Sequence, residues 1–144
     1  MTTTVQNAHR FGNASPRPAE VVAVLINDGS AQRVASVAVQ EAVERHAIVR
    51  FLQVVSAHLD EEGRSLVEET MFRTGLHALR RHSHMHSVFE VVTSNPPALV
   101  GSRSRGAALV VVGLDDHDSP GARSLADQVR GVAGCPVRTV PAGR

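Results

Sequence analysis

The chain's 144 residues suffice for one domain with a single core and not for two, and 42% hydrophobic with 20% charged residues excludes a wholly disordered or membrane-embedded class. Its basic residues are all arginine, which removes Schiff-base chemistry, a lysine general base and the lysine of a Walker A loop. A net charge of +1 with interspersed signs, and four Phe without Trp or Tyr, argue against nucleic acid as a partner, and no apolar run approaches the roughly 18 residues of a membrane span.

Residues 1–20, rich in Thr, Asn, Ser and Pro and without periodicity, read as a disordered tail ahead of one domain over 21–144. Residues 21–26 form a continuous apolar run, the pattern of a strand covered on both faces, and stop at Asn27-Asp28-Gly29-Ser30. Asp28 or Ser30 can cap the helix that follows, in which Val34, Ala35, Ala38 and Ala42 make one stripe ending near His46. A second buried strand spans 48–55. Ser65-Leu66-Val67-Glu68 has the spacing of a capping box and predicts a helix start there, with Val67, Met71, Phe72, Ala78 and Leu79 as its apolar stripe. The third strand, 88–92, ends at Thr93-Ser94-Asn95-Pro96-Pro97, where Asn95 can cap a short helix opened by proline and stopped by Gly106. Residues 109–112 are the fourth strand. A last helix runs from about Ser124 to Gly134, with Leu125, Val129 and Val132 at helical spacing, and a fifth strand, 136–140, closes the chain. Such alternation predicts an α/β three-layer sandwich: a parallel sheet, helices on both faces, right-handed crossovers.

Several side-chain groups invite chemical readings. His82, His84 and His86 would face one side of an extended segment and are candidate ligands for zinc, nickel or copper, yet no Cys, Asp or Glu completes the set locally, which favours a solvated connection. Asp60-Glu61-Glu62 and Glu68-Glu69 are adjacent and do not face one another on a helix, so they read as solvated faces. Asp115, Asp116 and Asp118 supply too few ligands for a tight cation site. Ser124 and His117 share a loop, but no third member or oxyanion hole accompanies them, which argues against a hydrolase. The single Cys135 cannot form an internal disulfide and reads as a structural thiol in a reducing cytoplasm.

Three segments together resemble the universal stress protein family, over essentially all of 21–140: the turn Asn27-Asp28-Gly29-Ser30; Val92-Thr93-Ser94-Asn95-Pro96, similar to the family's Val-x-Gly-x-Pro turn; and Leu109-Val110-Val111-Val112-Gly113 followed by Cys135-Pro136-Val137. The resemblance implies a flavodoxin-like, Rossmann-like UspA-like domain with a five-stranded parallel sheet. It also implies a cytoplasmic role in stress response and a homodimer through the last strand, here Val137, Arg138, Thr139 and Val140. Many members hold ATP in a loop written G-x-x-G-x9-G-[ST], and others lack that loop.

In this chain Gly113 matches the first glycine, Asp116 and Arg123 stand at the second and third, and Ser124 matches the hydroxyl. Neither Asp116 nor Arg123 supplies a glycine's positive φ or its close backbone approach to phosphate. Two like charges about 4 Å apart repel by about 4 kcal/mol at an effective dielectric near 20, so Asp115, Asp116 and Asp118 oppose a triphosphate. Arg123 offsets part of that as a guanidinium. If a nucleotide pocket is retained, its lining is Asn27, Asp28, Val55, Ser94, Gly113, Asp116, Arg123 and Ser124. The expected function is therefore a non-catalytic regulator or scaffold without a cofactor, acting on a protein partner. The alternatives are an adenine-nucleotide (ATP or AMP) sensor of the same fold, and a small hydrolase or metal-binding protein.

Overall fold

The computed structural model describes residues 2–3, 18–114 and 124–141. Five parallel strands carry the fold: β2 (Glu20–Ile26), β3 (Ile48–Val54), β4 (Ser87–Val92), β5 (Leu109–Gly113) and β6 (Val137–Val140). Ahead of them β1 (Thr2–Thr3) pairs antiparallel with β4, Thr2 opposite Glu90 and Thr3 opposite Phe89, so the sheet order is β1-β4-β3-β2-β5-β6. The five parallel strands are those the apolar runs predict, whereas β1 carries no such signal. Glu20, expected in the tail, is the first residue of β2; residues 4–17 lie outside the described residues.

Helices α1 (Ala31–Arg45) and α2 (Glu61–Ala78) cover one face, α3 (Pro96–Ser104) and α4 (Leu125–Val132) the other. Both faces of the central strands are therefore dry. Val21, Ala23 and Leu25 of β2 pack with the stripe Val34, Ala35, Ala38 and Ala42 of α1, while Val22 and Val24 pack with Val100 of α3 and Val129 of α4. That division explains why the strands read as unbroken apolar runs. Phe51 and Phe89 stack at 4.8 Å under α2, and the helix comes so close that a Cβ on Gly75 would stand 2.6 Å from the Phe89 ring.

Several local expectations need correction. The capping box at Ser65 does not open α2: Asp60 caps it four residues before Arg64, its carboxylate accepting from the Gly63 N–H at 2.7 Å, with Glu61 and Glu62 placed where the helix dipole favours negative charge. Ser65 and Glu68 lie inside the helix. In α4 the buried pair is Ala126 and Val129, whereas Val132 faces out. Ser30 stands at the N-cap of α1 without a side-chain cap bond, and Phe72 of the expected α2 stripe is 40% exposed, whereas α1 does end at His46 in the left-handed region (φ 52°), and Asn95 (φ 45°) caps α3 with Pro96 in its first turn. Asparagine tolerates that conformation better than most side chains.

Candidate functional site

From β2 the chain winds outward through β3 to β4, then returns to the other side of β2 for β5 and β6. The reversal makes the ground beyond the carboxyl ends of β2 and β5 a topological switch point, the place where open α/β sheets hold ligands in a crevice. Asn27, Asp28, Gly29 and Ser30 leave β2 here, and Gly113 ends β5. Ser94 follows β4 and is exposed; Ser124 stands at the start of α4. Asp116 and Arg123 lie outside the described residues.

At the centre of the crevice, polar groups are already engaged. One Asp28 carboxylate oxygen accepts from both the Ser30 N–H at 2.8 Å and the Ser30 hydroxyl at 2.5 Å. Ser30 is 2% exposed and lies directly over β5: a Cβ placed on Gly113 would fall 2.5 Å from the Ser30 Oγ. Gly113 is thus needed for the close docking of α1 on the end of β5, whatever else the loop does. The Ser124 hydroxyl likewise accepts from the Asp127 N–H at 3.2 Å and caps α4.

Val55, expected in the lining of a retained nucleotide pocket, is 2% exposed and belongs to the core beneath α1 and α2; Val54, one residue earlier, packs toward α3 and α4. The one-residue alternation of a strand separates the two.

The histidines converge elsewhere. His82, His84 and His86 line a cleft of about 390 Å³ together with His46, the residue that ends α1. His46 escapes sequence reasoning because it lies far from the others in the chain. Among the described residues no three His, Cys, Asp or Glu are arranged to hold a metal ion. Cys135 is half-buried, and burial pushes its thiol pKa up, away from thiolate reactivity. Among the described residues no helix is long and apolar enough to cross a membrane.

No protein-family model matches the chain, and no curated protein matches it by sequence. Solved structures do. A universal stress protein in complex with cAMP superposes with a TM-score of 0.68 at 15% identity, covering 89% of this chain and 100% of that one. The universal stress protein from Archaeoglobus fulgidus in complex with dAMP gives 0.65 at 19% identity, over 85% and 96% of the two chains. For the universal stress protein UspA from Lactobacillus plantarum the values are 0.56, 19%, 88% and 99%. These likenesses, together with the strand order and the crevice between β2 and β5, establish that the chain is a UspA-like α/β domain with the universal stress protein fold.

Proposed function

We propose that this protein acts in stress response as a non-catalytic regulator or scaffold that does not hold ATP at its switch point. The observation that carries the reading is Ser30, tied to Asp28 and seated on Gly113, where a ribose or phosphate would have to approach the backbone. Capping of α4 by Ser124 and the three acids Asp115, Asp116 and Asp118 support it. Calorimetry with ATP and magnesium is expected to detect no binding below millimolar concentration. A micromolar constant that Ser124→Ala abolishes would overturn the reading.

A second reading, an adenine-nucleotide sensor with Gly113, Arg123 and Ser124 on the phosphates, draws on the cAMP and dAMP held by two proteins of this fold. Mass spectrometry of small molecules that survive gentle purification separates the two.

Association through β6 belongs to the same proposal. The carbonyls of Pro136 and Val140 accept from Val110 and Leu114, so strand alternation turns the backbone groups of Val137 and Thr139 away from β5, toward the open edge. Two copies of that edge can pair about a two-fold axis. Arg138 is paired with Glu41, and its backbone groups, like those of Pro136 and Val140, face β5 rather than the open edge. Light scattering at tens of micromolar should show a dimer that Thr139→Pro weakens; a monomeric wild type rejects it.

A further inference from the structure

Between α2 and the carboxyl half of β3 and β4 lies a cleft of about 330 Å³, distinct from the crevice between β2 and β5. Its apolar wall is Phe72, Phe89 and Val91. Phe72 and Phe89 meet edge to face at 4.7 Å, and Phe72 remains 40% exposed, so an aromatic surface faces the opening.

Three polar groups meet that wall. Gln53 sits in β3 at a position pointing toward α2, on the same side as Phe51, and is 3% exposed; its amide nitrogen has no hydrogen-bond partner among the described residues. Glu68 and Ser65, one turn apart on α2, have no partner there either, while Glu69 is paired with Arg73 at 2.7 Å. A buried amide left unpaired costs free energy that a strand residue such as Leu or Val would avoid, and here that amide abuts a cleft large enough for a small molecule.

The geometry points to this cleft as a binding site for a small planar nitrogen heterocycle, uncharged or cationic and without a phosphate or carboxylate. Each part of the lining selects one property. The ring wall favours a flat aromatic body. The Gln53 N–H requires an acceptor in the plane of that body. Glu68 and Ser65 receive a ring N–H or exocyclic amine, and the Glu68 carboxylate repels an anion.

Benzimidazole, which presents one ring acceptor and one ring donor, and benzimidazole-5-carboxylate, its anionic counterpart, test the site on the full chain. Nuclear magnetic resonance titration should shift the Gln53 side-chain amide with benzimidazole, and the carboxylate should bind about tenfold more weakly. Glu68→Gln should narrow that gap. Gln53→Leu should abolish binding without lowering the melting temperature, because it removes an amide that has no partner. Phe72→Ala, at a partly exposed position, should weaken binding in a folded protein. No shift with either compound, equal binding of the two, or benzimidazole binding retained in Gln53→Leu would each overturn the assignment. So would a marked loss of stability in Gln53→Leu, since it would mean that the amide serves the fold.

Discussion

The two faces of the sheet are closed by different means. Beneath α1 and α2 the cover is apolar except at Gln53: Phe51, Phe89, Met71 and Leu79 continue the packing that begins at Val34 and Ala38. On the opposite face α3 and α4 cover β2 and β5, and the ground over β3 and β4 is taken by charged side chains. Arg50 lies between Glu20, at 2.6 Å, and Glu90, at 3.2 Å, and Arg103 of α3 closes on Glu90 with Nε at 2.9 Å and Nη2 at 2.5 Å. Helices cover a face when an apolar stripe is available. Where none reaches, paired charges with aliphatic stems cover strand residues at lower gain, since desolvation offsets most of their attraction.

The contrast is broken most severely on the apolar side. Phe51→Ala should cost about 3–5 kcal/mol, read from chemical denaturation, because the ring is fully buried between β2, β4 and α2. On the ionic side Glu90→Gln leaves two guanidiniums facing a neutral amide; Glu90 is buried but Arg103 is partly exposed, so a loss of about 2 kcal/mol is expected, between the buried and surface limits.

Acid separates the faces further. The hydrogen bonds from Arg103, with the charges of Arg103 and Arg50, outweigh burial and hold the Glu90 carboxyl below its ordinary range. Its contribution is therefore complete above the unfolded value near 4.3 and is lost as pH falls through the lower folded value. A stability–pH curve should decline there, and Glu90→Gln should flatten that decline while Phe51→Ala leaves its shape intact. Glu41 behaves alike: burial raises its pKa, but Arg138 and Arg45 overcome that and lower it. The smallest effect expected is Arg138→Gln, about 0.5–1 kcal/mol, because Arg138 is half-exposed and Arg45 still serves Glu41.

The apolar face was the legible one. An unbroken run such as Val21-Val22-Ala23-Val24-Leu25-Ile26 reports coverage on both sides without any partner being named, and the α1 stripe reports its own orientation. The ionic face was not, because Glu20, Arg50 and Glu90 lie 30 and 40 residues apart and no local period links them. Helix starts depend on side-chain geometry as much as spacing: Ser65 offered the cap signal for α2, but the side chain that meets a free N–H at its start is that of Asp60, which read as part of a solvated acidic face. At the end of β5, sequence spacing did not show that Ser30 occupies the approach to Gly113, since that contact joins β5 to the start of α1. Gln53 carried a readable sign, a lone amide within the second apolar strand, whose meaning appears only once α2 is seen to leave a cleft beside it.

Thr2 and Thr3 occupy the middle of the outer edge of β4, whereas the outer edge of β6 has no neighbouring strand among the described residues. A sheet open at both ends can recruit chains without limit, as fibrils do. Among the described residues this one offers a single free end, so the proposed encounter through β6 would consume the free end of each molecule and leave none for a third. On that proposal association along the sheet would terminate at two chains, with the short threonine strip as the stop to polymerisation.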